Sequence, residues 1–166
     1  MNTDETRSGE LNPEPHPEKL LHREITEAVI GSAFEVHSRL GFGFLEKVYQ
    51  RALQVELLRR GHRAELEKAI AVKYKNVVVG EYFADVLVDD CVIVEIKVAA
   101  DYQRSDEAQL LNELKATGVR VGLLINFGRR QMQRLLHRRR VPARVVDPAR
   151  CGGRESLARR AGRAGL

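Results

Sequence analysis

The stretch ADVLVDDCVIVEIK, from Ala84 to Lys97, carries charged side chains inside what reads as two apolar strands. Asp85 lies in the first run, and Glu95 and Lys97 lie two residues apart in the second. Because alternate residues of a strand point to the same side of a sheet, Glu95 and Lys97 share one face, and the apolar residues that alternate with them take the other. The apolar face is the natural core side, so the charged face needs a chemical explanation.

The length of the loop between the two runs decides whether the two acids meet. A three-residue loop, residues 89–91, pairs Val88 with Val92 and places Asp85 opposite Glu95, with Cβ atoms about 5 Å apart. A two-residue loop would put Asp85 and Glu95 on opposite sides of the sheet. The chemical interpretation therefore requires the three-residue loop or a bulge.

Two carboxylates at that distance repel each other unless a cation lies between them. Oxygen ligands favour hard ions such as Mg²⁺ or Mn²⁺, which lower the pKa of a bound water and polarise a phosphoryl oxygen. Lys97, further along the same face, can hold a nucleophilic water or stabilise charge developing on a phosphate. The pattern predicts metal-dependent hydrolysis of phosphodiesters. A solvent-facing sheet surface with a Glu–Lys pair fits the same residues, and this alternative stays open.

The order of helical and strand patterns predicts an α/β fold, a mixed sheet with helices packed against it. Two helical stripes come first, then three strands, a third helix opened by Ser105 as N-cap, and a strand buried on both faces. The predicted helices span 18–39, 45–60 and 105–117, and the strands span 69–73, 77–82 continuing into 83–88, 92–98 and 119–126. Further on, MQRLLHRRR predicts a short basic helix and ARVVD a last edge strand.

The net charge of +5 hides an asymmetry between the two ends of the chain. Residues 128–166 hold 12 Lys+Arg and 2 Asp+Glu, a net charge of +10, which leaves 16 Lys+Arg and 21 Asp+Glu, a net charge of −5, in residues 1–127. A basic tail favours polyanions whatever their sequence. An end that only adds solubility has the same composition, so the tail alone does not define a site.

No apolar run reaches the ~20 residues of a membrane span, and the N-terminus lacks the apolar region of a secretory signal. Cys91 and Cys151 match neither a disulfide framework nor a metal-ligand spacing. These features predict a reduced, cytoplasmic protein that does not enter the membrane.

A second set of motifs begins after the first helix. In GFGFLEKVY, the residues Gly43, Glu46 and Tyr49 form G-x-x-E-x-x-Y. Together with YFADVLVDDCVIVEIKVA, AQLLNELKATG and VGLLINFG, this segment resembles the GxxExxY family of the PD-(D/E)XK nuclease-like superfamily. The resemblance covers about residues 19–128, and the four motifs follow the family's order and spacing.

The resemblance implies a restriction-endonuclease-like α/β core and a Mg²⁺-dependent (or Mn²⁺-dependent) nuclease that acts on DNA or RNA. It implies that Asp85, Glu95 and Lys97 take the Asp/Glu-x-Lys catalytic roles, with Asp85 and Glu95 also as metal ligands. Glu46 would complete the metal shell from its helix, and Gln109 matches the glutamine that lies next to the active site. Restriction-like enzymes often form homodimers, and this state is left open here.

Composition and the resemblance together predict three parts of the chain. Residues 1–16 are expected to be a disordered arm, residues 17–128 the PD-(D/E)XK nuclease-like domain, and residues 129–166 a basic, Arg-rich, partly disordered extension. The extension departs from the family, since a short closing strand is expected soon after NFG.

Three further side chains are interpreted against the family pattern. Glu113 stands where the family usually has Tyr, four residues after Gln109 on the same helical face, and we expect it either to take part in metal binding or to weaken the approach of a phosphate. We expect Tyr49 to pack with its hydroxyl bonding a carboxylate. His37 matches a histidine often seen in the family's first helix, and we expect it to be structural.

Two other functions fit the same sequence features. One is a non-catalytic nucleic-acid-binding module on the same fold, with a vestigial site. The other is an interaction scaffold in which the acidic body binds a partner; there, neutralising the acidic cluster would stabilise the fold and leave function intact.

Overall fold

The computed structural model describes residues 22–139, and in that range the elements follow the predicted order with one addition at the end. The helices are α1 (Arg23–Leu40), α2 (Glu46–Arg59) and α3 (Arg104–Thr117). The strands are β1 (Ala64–Tyr74), β2 (Val77–Val88), β3 (Val92–Lys97), β4 (Val121–Asn126) and β5 (Gln133–Arg138). The α/β class predicted from the sequence is confirmed.

The five strands form one mixed sheet in the order β1-β2-β3-β4-β5. Neighbouring strands are antiparallel except β3 and β4, which are parallel. Parallel neighbours need a crossover connection, and α3 supplies it. Strand β1 is longer than the predicted run 69–73, because it pairs with β2 along nearly its whole length.

The two faces of the sheet carry different cores. On one face, α1 and α2 pack against alternate residues of β3, namely Val92, Val94 and Ile96, in the larger apolar cluster. On the other face, α3 packs over a smaller cluster that includes Ile93. Because both faces are covered, all six residues of β4 are buried, as its apolar run predicted.

Gly122 lets α3 approach the sheet closely. A Cβ atom at this position would lie 2.8 Å from Cδ1 of Leu110, which projects from α3. Any larger side chain at Gly122 would have to displace the Leu110 side chain. The position of α3 matters because this helix carries part of the site described below.

The start of α3 differs from the prediction. The N-cap is Gln103 rather than Ser105, and the Gln103 N–H donates to Oδ2 of Asp106 at 3.0 Å. Serine is the better N-cap by intrinsic preference, but an acidic residue three positions after Gln103 completes a reciprocal capping box. At the other end, Gly118 adopts a φ of 78° and its N–H bonds the carbonyl of Leu114.

The helix predicted for MQRLLHRRR is wrong, because residues 133–138 form β5. The helical spacing in this short segment is weak, whereas β4 offers a full row of backbone groups that must be paired. All six residues of β5 pair with β4, from Val121 with Arg138 to Asn126 with Gln133. The sheet thus continues past residue 128, and the edge strand predicted for ARVVD lies outside the described residues.

Cys91 also departs from its prediction, since it is buried and disulfide-bonded. The spacing of cysteines along a chain does not show which of them meet in the folded protein. Cys151 lies outside the described residues. Separately, the helices within residues 22–139 are all too short or too polar to cross a membrane.

Candidate active site

The hairpin of β2 and β3 has the register that the chemistry requires. Val88 pairs with Val92, which leaves Asp89, Asp90 and Cys91 as the loop. Asp89 and Asp90 adopt φ values of 49° and 57°, a left-handed conformation that aspartate tolerates better than most residues. The three-residue loop predicted from the sequence is confirmed.

Asp85 lies where this hairpin opens. The ladder between β2 and β3 ends at the pair Val86 and Val94, one residue before Asp85. Side chains two apart on a strand normally share a face, yet Val86 belongs to the cluster under α1 and α2 and Ala84 to the cluster under α3. Strand β2 therefore twists at Asp85.

The twist turns the Asp85 carboxylate into the gap between the strands. Its Oδ2 accepts the Ile96 N–H at 2.7 Å, in place of a backbone carbonyl of the ladder. Its Oδ1 accepts a hydrogen bond from the Gln50 side chain on α2 at 2.7 Å. Asp85 is thus held by the sheet through Ile96 and by helix α2 through Gln50.

Burial nevertheless raises the pKa of Asp85 to about 6. The Ile96 N–H and the charge of Lys97 act in the opposite direction, whereas the charges of Glu46 and Glu113 add to the rise in this pKa. A carboxyl with this pKa is poised to change its charge near neutral pH, as is common for groups at functional sites.

Glu95 is almost completely buried, with 1% of its surface exposed. Its Oε1 accepts the backbone N–H of Asp85 at 3.3 Å, so its carboxylate lies against the Asp85 backbone. Burial, the charge of Asp85 and a hydrogen bond with Glu113 raise the pKa of Glu95 to about 9. Without a cation, Glu95 therefore keeps its proton at neutral pH.

Lys97 and Gln109 complete a connected set of polar side chains. The Lys97 ammonium donates to Oε1 of Gln109 at 3.4 Å and lies 3.9 Å from Oε2 of Glu95. The Gln109 amide donates to Glu95 Oε2 and to Glu113 Oε1, at 3.0 Å in each case. Gln109 thus links the strand acids to α3.

Glu113 is fully buried, and its Oε2 has no hydrogen-bond partner within residues 22–139. A buried, unpaired carboxylate oxygen is unfavourable by a few kcal/mol, roughly the cost of desolvation. The residue that departs from the family pattern therefore points directly into the site, where it contacts Glu95 and Gln109.

Glu46 lies at the edge of the site rather than inside it. It is the first residue of α2, its side chain is exposed, and it acts on Asp85 through its charge. Gln50, four residues later on the same helix face, is the group from α2 that bonds Asp85 directly. Sequence reasoning missed Gln50, and its spacing from Glu46 was the signal that could have found it.

Tyr49 and His37 are structural. Tyr49 is fully buried, stacks on Phe127 with ring centroids 4.5 Å apart, and donates its hydroxyl proton to the Gly41 carbonyl at 2.9 Å. Its predicted packing is confirmed. Its predicted bond to a carboxylate is wrong, because the hydroxyl donates to the backbone carbonyl of Gly41 instead. His37 bonds the Arg129 carbonyl through Nε2 at 2.8 Å.

The donor set suits a hard divalent cation, since carboxylate oxygens converge from β2, β3 and α3 and one of them is unpaired. Among residues 22–139, no three His, Cys, Asp or Glu side chains already form a cage for a metal ion. Mg²⁺ usually takes one or two carboxylates and completes its shell with water and substrate phosphate. Asp85 and Glu95 fit this mode.

The chain is similar to a solved structure described as "Crystal structure of SSO0001", with 16% sequence identity, a TM-score of 0.42, and coverage of 75% of this chain and 62% of that one. The chain thus corresponds to less than two thirds of that protein's length. No curated protein matches the sequence.

The decisive comparison is with protein families. The model of the PD-(D/E)XK nuclease superfamily matches residues 23–140, which include every helix and strand described above. The five-stranded mixed sheet with flanking helices agrees with the restriction-endonuclease-like fold expected of that superfamily. This chain belongs to the PD-(D/E)XK nuclease superfamily.

Proposed function

We propose that the protein is a metal-dependent nuclease that hydrolyses phosphodiester bonds in DNA or RNA. The observation that carries the proposal is the hydrogen bond from the Asp85 backbone N–H to the Glu95 carboxylate, with Lys97 beside it and Gln109 bridging to α3. Buried carboxylates that lie close together reduce the stability of a fold unless a bound cation compensates their charge. Superfamily membership supports the same activity.

In this proposal, Asp85 and Glu95 bind Mg²⁺ or Mn²⁺, and Glu46 adds an acidic group at the rim. The cation, when bound, supplies an acidified water and neutralises charge on the phosphate. Binding of a cation replaces the proton that Glu95 otherwise retains, because both compete for the same oxygen. Asp85 is already oriented for this by its bonds to Ile96 and Gln50.

Lys97 and Gln109 act on the substrate side. The Lys97 side chain is 19% exposed, so its ammonium reaches solvent while staying next to Glu95. It can orient the attacking water and stabilise negative charge on the phosphate oxygens. Gln109 holds Lys97 and Glu95 in their relative positions through its amide.

The finer features of the proposal follow the resemblance. We propose that the protein belongs to the GxxExxY family and acts in the cytoplasm. Whether it forms a homodimer is left open. We further propose a domain that starts near residue 17, an arm over residues 1–16 and a basic extension from residue 129, the first part of which contributes β5 to the sheet.

The test is a cleavage screen with the full-length chain. Purified wild type and Asp85→Asn are incubated with single-stranded DNA, duplex DNA and RNA, each with Mg²⁺, with Mn²⁺ or with a chelator. We expect cleavage of at least one substrate that needs metal and is lost in Asp85→Asn. Cleavage that survives in Asp85→Asn would indicate a contaminating nuclease. Nucleic-acid binding without cleavage would favour the non-catalytic module.

A further inference from the structure

A groove of about 1000 Å³ lies beside the candidate active site, between the hairpin of β1 and β2 and the C-terminal half of α3. Its floor is apolar and buried. The floor includes Ile70, Ala84, Leu87 and Ile93. A groove of this size is at the upper end of the range for ligand sites in proteins, and the residues proposed for phosphodiester hydrolysis do not line it.

The rim of the groove is basic. Lys68 and Lys73 line it from β1, and Lys115 lines it from α3. Lys68 also bonds Glu65 at 2.7 Å, whereas Lys73 and Lys115 have no ion-pair partner among residues 22–139. The acid on the rim, Asp90, is paired with Arg63. The rim therefore offers positive charge to an anionic ligand.

One end of the groove meets the active site. Ala84 on the floor directly precedes Asp85, and Lys68 pairs with Ala84 across the strands. On α3, Asn112 lines the groove and directly precedes Glu113. From Lys68 the groove follows β1 outward to Lys73, a distance of about 17 Å for five residues of strand.

We propose that this groove binds a single strand of nucleic acid and leads it to Asp85 and Glu95. The lysines bind phosphates at intervals along the strand, and a base stacks on Tyr82, which lines the groove and is 43% exposed. Basic grooves with aromatic stacking surfaces are how proteins bind single strands without reading their sequence. The proposal rests on the proposed nuclease function and names its substrate class.

The exposed ring of Tyr82 is what separates a single strand from a duplex. In a duplex the flat faces of the bases are stacked inside the helix, and only the phosphates and groove edges are offered to the protein. The Tyr82 ring gains nothing from such a ligand, whereas an unstacked base can stack on it. The chain's own tail is a poor occupant, because residues 140–166 carry Arg against only Asp147 and Glu155 and would be repelled by the rim.

The experiment measures binding apart from cleavage. Full-length Asp85→Asn is titrated, in the presence of a chelator, into a labelled 12-nucleotide single strand and into the same sequence as a duplex, and fluorescence anisotropy gives Kd. We expect the single strand to bind about tenfold more tightly than the duplex. Equal binding, or tighter binding of the duplex, would overturn the proposal.

The groove itself is tested by removing two charges. In Lys73→Gln with Lys115→Gln, we expect single-strand affinity to fall about tenfold and the slope of log K against log salt to decrease by about 1.4, since two phosphate contacts are lost. The matched control is Arg51→Gln with Arg59→Gln, which removes two exposed charges from α2 on the other face of the sheet. Equal loss in both double variants would contradict a groove.

The stacking surface is tested at Tyr82. Tyr82→Ala is expected to weaken single-strand binding by about tenfold, and Tyr82→Phe to retain it, because stacking needs the ring and not the hydroxyl. A poly-glutamate peptide of equal charge serves as competitor. If it binds as tightly as the strand and loses affinity in the same lysine variants, the groove recognises acidic peptides and the proposal fails.

Failure of this inference can be told apart from failure of the nuclease assignment. If wild type cleaves nucleic acid and the lysine and tyrosine variants bind and cleave as well as it does, the groove proposal fails and the nuclease stands. If those variants lose single-strand affinity but no metal supports cleavage in wild type, the nuclease assignment fails and the groove stands as a binding site.

Discussion

The two faces of the sheet use the same strands for different ends. The face under α1 and α2 is mainly apolar, with 18 buried residues in its main cluster. The face under α3 has a cluster of seven buried residues and continues into Glu95, Glu113, Lys97 and Gln109. Apolar burial stabilises by roughly 25 cal/mol per Å², whereas buried carboxylates oppose folding. The first face contributes most of the free energy of unfolding. The second face lowers that free energy, because it holds buried reactive groups.

The largest effect is expected at Lys97. Replacing Lys97 by Ala should lower the cleavage rate by about 10²–10³-fold, the usual loss when one group that stabilises developing charge is removed. The free energy of unfolding should change little, because the lysine is partly exposed. Cleavage kinetics and urea denaturation measure the two quantities, and Lys75→Ala in the turn between β1 and β2 is the control. A Lys97→Ala protein that cleaves at the wild-type rate would remove Lys97 from the chemistry.

The second effect concerns the apolar face. Leu53→Ala on α2 should lower the free energy of unfolding by about 2–5 kcal/mol, through lost burial and an unfilled cavity. Leu114→Ala on α3 should lower it by less, since the smaller cluster lies beside an open groove and can relax into it. Both leucines are fully buried. Urea denaturation decides the order, and an equal or larger loss at Leu114 would break the contrast between the two faces.

The third effect has the opposite sign. Glu113→Met removes a buried carboxylate with an unpaired oxygen, and the free energy of unfolding of the metal-free protein should rise by about 1–2 kcal/mol. Glu24→Met, on the exposed side of α1, is the control and should change stability by less than about 0.5 kcal/mol. If Glu113→Met is destabilised instead, Glu113 has a structural role that the geometry does not reveal.

The fourth effect is the pH dependence of the metal-free protein. Asp85 and Glu95 have folded-state pKa values of about 6 and about 9, above their ordinary values of 3.8 and 4.5. At a pH between the ordinary and the folded-state pKa of either acid, the folded state binds more protons than the unfolded state. The free energy of unfolding is therefore highest at low pH and falls as pH rises toward 9. The slope is at most about 1.4 kcal/mol per pH unit for each proton.

Thermal denaturation in chelator at pH 5, 7 and 9 measures this slope. In Glu95→Gln the fall between pH 7 and pH 9 should largely disappear, because Glu95 is the group that titrates there. A wild-type protein that gains stability from pH 5 to pH 9 would show that these acids are not buried as described.

Much of the site could be predicted because it rests on local rules. Strand alternation and the three-residue loop brought Asp85 to Glu95, and helical spacing brought Gln109 and Glu113 to one side of α3. The features that were missed depend on contacts between distant segments. The sequence gives no local sign that β2 twists at Asp85 or that residues 133–138 pair with β4 rather than form a helix. Gln50 could have been noticed from its spacing of four residues from Glu46, but its hydrogen bond to Asp85 depends on the packing of α2 against the sheet.

The central claim is that the α3 face gives up stability to hold a cation, and one experiment tests it directly. Urea denaturation of wild type and Glu95→Gln is compared at pH 7.5 with and without saturating Mn²⁺. We expect Glu95→Gln to be at least as stable as wild type without metal, and Mn²⁺ to stabilise wild type by about 2–3 kcal/mol at a concentration near one hundred times Kd while leaving the variant unchanged. If Mn²⁺ stabilises both proteins equally, or neither, the buried acids of this face do not form a metal site.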